Sequence, residues 1–290
     1  MQQIKGILFD KDGTLIDFDS LWQPVADAAV SALMERYGIG HPGASGVMER
    51  KRGPATTGIG EAADAPNEAA SLAAACREEM LSAIGITDGR VDPDGILACD
   101  HAEDAGHALY RVLSGIVPDL EREEVVVETV RMLTDLAVEC APLIRPIGDL
   151  KALMTRLREE GLAIGMVTAD TRASAEKFLE VFGLTAYFDY VGADDGTVRA
   201  KPHPEHMRRF SEKTGVPPES VAMVGDTLTD MRFGRNADAG KVIGVLSGAG
   251  EYGALKEMAD IIVPHVGWLF NGPNPVWAPE RAAEPMAQPA

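Results

Sequence analysis

Residues 7–17 read ILFDKDGTLID, an apolar run that ends in Asp10, Asp12 and Asp17, with Gly13-Thr14 between the second acid and the third. Carboxylates this close repel one another, so the arrangement is unfavourable unless a cation shares the place. The run IKGILF (4–9) reads as a short buried strand. Asp10 and Asp12 then stand at its carboxyl end, where open α/β sheets bind their ligands.

The same grammar returns in the second half of the chain. LAIGMVT (162–168), YFDYVGA (187–193), SVAMVG (220–225), KVIGVL (241–246) and DIIVP (260–264) are apolar runs ending in acids or small polar residues. Between them lie the amphipathic stretches IGDLKALMTRLREEG, ASAEKFLEVFG, PEHMRRFSEKTG and MRFGRNADAG, each closing on a glycine in the manner of a helix C-cap. Alternating strand and helix predicts an α/β fold, a doubly wound parallel sheet with a Rossmann-like core and helices on both faces.

Residues 18–142 break the alternation. LWQPVADAAVSALMERYG, EAASLAAACREEMLSAIG, GHALYRVLSG and EEVVVETVRMLTDLAVECA carry apolar residues at helical spacing, which predicts an inserted helical domain. The expected division is therefore a core of residues 1–17 and 143–270, a helical insert of 18–142, and a flexible Pro- and Ala-rich tail over 271–290. Residues 38–66, rich in Gly, Ala and Pro, read as a long connection within the insert.

The chain has 290 residues, 46% of them hydrophobic, and a formal charge of −18. That charge argues against a sequence-independent grip on nucleic acid or on an anionic membrane. Three cysteines without CxxC spacing suggest neither a disulfide framework nor a thiolate zinc site. The opening MQQIKGILFD meets an acid before a signal-peptide core could form, and no run of about 18 apolar residues occurs, so the cytoplasm is the expected compartment.

The strand ends supply the chemistry. Asp10 and Asp12 follow the first strand, Thr168, Ala169 and Asp170 the second; Lys201 in AKPHPE lies beyond the third, and Asp226 and Asp230 in GDTLTD follow the fourth. Carboxylates, a hydroxyl and an ammonium converging on one edge suit Mg2+-assisted phosphoryl transfer, with Asp10 and Asp226 holding the ion from two sides. Asp10 is then a plausible nucleophile. Asp12 can protonate the leaving oxygen and afterwards activate water, while Gly13 lets the backbone turn and present N–H groups to phosphate. Thr168 can donate its hydroxyl to the same oxygens.

The stretches DKDGT, MVT, KP and GDTLTD, in this order and on these strand ends, resemble the four motifs of the haloacid dehalogenase-like hydrolase superfamily. The helical insert between the first and second motifs resembles the cap of its phosphoglycolate phosphatase-like group. The resemblance implies Asp10 as nucleophile and metal ligand, and Asp12 as general acid/base and as ligand through its backbone carbonyl. It implies Asp226 as a Mg2+ ligand, Asp230 in support of that shell, and Gly13, Thr168, Ala169 and Lys201 around the phosphate. The expected activity is hydrolysis of a small phosphate monoester, phosphoglycolate-like or a sugar phosphate. The expected partner is a small anionic phosphorylated metabolite, with no nucleic acid and no membrane, for a monomer or homodimer. A sugar phosphomutase or a non-catalytic binding module are the alternatives.

Other features receive plainer readings. Lys11 stands where many relatives carry an apolar or aromatic residue; its side chain is expected at solvent or toward the cap, with no role beyond its backbone. GAGEYG (248–253) fits GxGxxG, but the next strand offers Pro264 and His265 where a ribose-binding acid would be needed, so a plain glycine loop is preferred. His101 and His107 in CDHAEDAGH do not share a helix face. Arg50-Lys51-Arg52 reads as a solvated helix end, His203 and His206 as surface, and Asp230 also as a possible helix cap.

Overall fold

All six apolar runs become strands of one parallel sheet in the computed structural model, which describes residues 3–40, 65–92, 95–99 and 101–278. They are β1 (Gly6–Phe9), β2 (Ala163–Val167), β3 (Tyr190–Gly192), β4 (Val221–Gly225), β5 (Lys241–Val245) and β6 (Ile261–Val263). Their order across the sheet is β3-β2-β1-β4-β5-β6. Every residue of β1 and β4 is buried, so both faces of the sheet centre are covered, as continuous apolar strands require.

The order reverses direction at β1, which leaves a crevice between the carboxyl ends of β1 and β4. Phe9 pairs with Met166 on one side and with Val224 on the other. Continuing that register sets Lys11, Thr168 and Asp226 at one level, a residue beyond Asp10. Asp10, Thr168 and Asp226 thus inherit their neighbourhood from strand pairing.

The chain divides into two compact units, residues 1–20 with 141–290, and residues 21–140. In the first, the sheet is flanked by α5 (Leu150–Glu159), α6 (Arg172–Val181), α7 (Glu205–Thr214) and α8 (Leu228–Asn236). The second is built from α1 (Phe18–Arg36), which begins at the boundary, with α2 (Ala65–Ala83), α3 (Ala102–Leu113) and α4 (Arg122–Glu139). Within this helical unit α3 and α4 meet backbone to backbone: a Cβ on Gly106 would lie 2.8 Å from Val126 Cα. No helix among the described residues is long and apolar enough to cross a membrane.

Three of the four predicted glycine stops hold. Gly161, Gly183 and Gly215 take φ values of 76°, 63° and 74° after α5, α6 and α7. The chain after α8 instead turns at Asp238, φ 53°, and Gly240 follows, where an added Cβ would lie 2.1 Å from the Glu219 carbonyl oxygen. Residues 271–278, assigned by composition to the tail, continue from Phe270 as a small hairpin, Phe270–Asn271 against Asn274–Pro275. Arg156 of α5 lies 3.9 Å from the Phe270 ring centre, and Trp277 meets the same ring edge-on.

Phe210 of α7 is fully buried and presses on glycines in two strands: Cβ atoms added at Gly6 and Gly165 would come within 3.0 and 2.9 Å of its ring. Phe210→Ala is expected to cost about 3–5 kcal/mol, read as a lower urea midpoint, since a rigid sheet cannot collapse into the vacated space. His206, one turn earlier and expected at the surface, is instead 2% exposed and hydrogen-bonded to the Tyr190 hydroxyl at 2.8 Å. Gly192 makes the space, for a Cβ there would sit 2.5 Å from the imidazole.

Candidate active site

Asp10, Asp226 and Asp230 are all buried, and each offers a carboxylate oxygen within 4.8 Å of the others. Asp10 leaves the end of β1 and Asp226 the end of β4, while Asp230 sits in the first turn of α8. Asp230 does cap that helix: its Oδ2 accepts from Thr227 N at 3.0 Å and from the Thr227 hydroxyl, which in turn accepts from Asp230 N. The cap fixes its rotamer, so that Oδ1 is aimed at Lys201.

Lys201 Nζ lies 2.5 Å from Asp10 Oδ1 and 2.6 Å from Asp230 Oδ1. Burial disfavours its ammonium, but the two carboxylates outweigh that and hold its pKa above the ordinary value. Lys201 is therefore a fixed positive charge between a β1 acid and an α8 acid.

Asp226 is held by parts of the chain more than two hundred residues apart. Its Oδ1 accepts from the Thr14 hydroxyl at 2.9 Å and its Oδ2 from Ala249 N at 2.9 Å. Glycines line the rest. A Cβ on Gly248 would lie 2.0 Å from Asp226 Oδ2, one on Gly250 1.9 Å from the Asp226 carbonyl oxygen, and one on Gly13 2.5 Å from Oδ2. The GAGEYG loop is thus packed against a carboxylate, and Ser247 ties it to the first motif by donating its hydroxyl to the Gly13 carbonyl at 2.7 Å.

The remaining candidates take separate positions. The Asp12 carboxylate is not in the cluster; both of its oxygens lie 2.9 Å from Lys11 Nζ. Gly13, expected to let the backbone turn and present N–H groups to phosphate, has a φ of 77° and donates its own N–H to the Ile16 carbonyl at 2.8 Å. Thr168 is buried, and its hydroxyl accepts from Asp170 N at 3.1 Å. Ala169 is exposed.

Lys11 corrects an expectation. Its side chain does not reach solvent; it is fully buried, between Asp12 and Asp170 Oδ2, the latter at 2.8 Å. Burial alone would lower its pKa, yet the two acids raise it. Reading residue types along the chain could not find this, because Asp170 lies on another strand end. Arg50-Lys51-Arg52 lies outside the described residues.

Charge in the cluster does not balance. Three carboxylates face one ammonium, so ionising all of them leaves two negative charges uncompensated in a buried place. Burial, moderated by Lys201, pushes Asp10 well above the usual carboxylate range, with Asp230, Asp226 and Asp12 adding to the rise. Burial and then Asp230 push Asp226 up to about 7. Oxygen donors, two charges short of neutrality, fit a hard divalent cation such as Mg2+. Asp10 and Asp226 are the residues that would hold it, with Asp230 in support.

A family model described as haloacid dehalogenase-like hydrolase matches residues 4–238. Pyrophosphatase PpaX of Halalkalibacterium halodurans is 34% identical over 95 residues, 33% of this chain and 44% of that protein. The chain spans under half the length of the first curated relatives it matches. Among solved structures, one titled a predicted phosphoglycolate phosphatase, from Haemophilus somnus, superimposes with a TM-score of 0.61 at 17% identity, covering 92% of this chain and 96% of its own. CbbY of Rhodobacter sphaeroides, solved in complex with phosphate, gives 0.56 at 18% identity over 92% and 96%. At such identities the likeness is one of fold. With the family model matched over most of its length and four motifs brought to one sheet edge, the chain belongs to the haloacid dehalogenase-like hydrolases.

Proposed function

We propose that this chain is a Mg2+-dependent phosphatase that hydrolyses a small phosphate monoester through an aspartyl phosphate on Asp10. The observation that carries the reading is the grouping of Asp10, Asp226 and Asp230 within 4.8 Å, with Lys201 bonded to two of them.

A carboxylate oxygen of Asp10 attacks phosphorus, and the bond to the ester oxygen breaks as Asp12 gives that oxygen a proton. Water then attacks the phosphorus of the aspartyl phosphate; Asp12 takes a proton from the water, and the electron pair of the broken bond returns to Asp10. Lys201 orients Asp10 and carries positive charge to the phosphate oxygens. Thr168, whose hydroxyl already accepts from Asp170 N, has its own proton to donate to phosphate. Bound Mg2+ supplies the further positive charge that lets a carboxylate approach a phosphate dianion. The helical unit occupies the chain position of the family's cap.

A second reading is hydrolysis of inorganic pyrophosphate, favoured by the name Pyrophosphatase PpaX that curated relatives carry. Phosphate release from a panel of monoesters and from pyrophosphate, with Mg2+ or with excess chelator, separates the two. Turnover of at least one compound with Mg2+, and its loss in chelator, is expected. Conversion of a sugar 1-phosphate without phosphate release would make the chain a mutase, and no turnover on any compound would make it a binding module.

A further inference from the structure

Lysine is almost never fully buried unless paired, and replacing a buried ion pair by apolar side chains is often neutral or stabilising. A lysine with no exposed surface, held by two acids beside the reacting residue, is therefore poorly explained by stability. Resting on the phosphatase reading above, we propose that Lys11 is a positioning residue that orients Asp12 for the hydrolysis of the aspartyl phosphate, anchored in turn by Asp170.

The chain of contacts is continuous. Lys11 Nζ meets both Asp12 oxygens at 2.9 Å, so the carboxylate is gripped at two points and its rotation is fixed. Lys11 reaches Asp170 Oδ2 at 2.8 Å, and the same oxygen accepts from the Ser174 hydroxyl at 2.8 Å. Asp170 is itself pinned through its backbone, donating N–H to Thr168 Oγ1 at 3.1 Å and accepting at its carbonyl from Asp194 N at 2.9 Å. A base oriented by a third group is the arrangement by which nucleophilic sites hold their proton acceptor in register. Here the third group is an ammonium rather than a carboxylate, because the acceptor is a carboxylate rather than an imidazole. Both Asp12 oxygens face the Lys11 ammonium, which suits the half-reaction in which Asp12 takes a proton from water. Thr168 ties this chain to the phosphate-binding hydroxyl, so one anchor serves both.

The test follows phosphoenzyme formation and breakdown separately, by rapid quench after a pulse of a labelled aryl phosphate, whose phenolate leaves without needing the Asp12 proton, with Mg2+ present. Lys11→Met is expected to slow breakdown roughly tenfold to thirtyfold, part of the full general-base contribution, while formation stays within about threefold. In the steady state kcat falls with kcat/KM nearly unchanged. Lys11→Met strands two acids and could fail to fold, so Asp170→Asn serves as a second variant. It keeps Lys11 paired with Asp12 and is expected to show the same signature to a smaller extent. Formation and breakdown falling together, or neither falling in either variant, would overturn the proposal and leave the phosphatase reading standing. A wild-type protein that forms no phosphoenzyme would remove both.

Discussion

Asp10→Asn is expected to lower turnover by about four orders of magnitude or more while the protein stays folded, with no phosphoenzyme trapped on quenching. The substitution keeps the shape of the side chain and removes its nucleophilic oxygen pair. It also relieves a strained assembly of charge. Burial and the nearby carboxylates raise the Asp10 pKa, so the ionised group is paid for elsewhere in the fold, the common state of an active site. Lys201 loses one partner but keeps Asp230 at 2.6 Å. In metal-free protein the Tm of Asp10→Asn should therefore equal or exceed that of wild type. A Tm lower by many degrees, with activity lost in proportion to unfolded protein, would mark Asp10 as a structural residue and sink its assignment as nucleophile.

The reach of sequence reasoning differs among these residues for a physical reason. The acids at the ends of β1 and β4 were legible because strand period and turn chemistry are local, and because open sheets expose their carboxyl ends to ligand. The helical insert was legible from its spacing. What Asp10 and Asp226 rest on was not, since their supports come from remote parts of the chain. Thr14 bonds Asp226 across 212 positions, and Ser247 bonds Gly13 across 234. Lys11 is expected at solvent or toward the cap because one sequence carries no sign that Asp170 will stand beside it. His206 was hidden in the same way, since nothing near it announces that Gly192 opens a place beneath its ring. In each case the missing information is a contact between elements rather than a property of one.

The GAGEYG loop gives the sharpest use of that difference. Gly248→Ala is expected to lower turnover at fixed Mg2+ about 10²-fold or more, since a displacement near 1 Å at a reacting centre has that effect. The half-saturating Mg2+ concentration should rise about 10–100-fold, the usual result of disturbing what supports a metal ligand. The reason is steric: the new Cβ would stand 2.0 Å from Asp226 Oδ2, and the carboxylate cannot yield without giving up Ala249 N or Thr14. A readout independent of catalysis is the rise in Tm on adding Mg2+, which mass action ties to affinity for the folded protein and which should shrink in the variant. Gly253→Ala is the internal control. It is the last glycine of the same motif, yet nothing lies within 4 Å of its added Cβ, and it should stay within about 0.5 kcal/mol of wild type with full activity. A nucleotide-binding glycine loop would depend on its glycines for access to a ligand, whereas this loop depends on Gly248 for access to a carboxylate. Equal tolerance at positions 248 and 253, with Mg2+ affinity intact in both, would separate the loop from the site and leave Asp226 held by Thr14 alone.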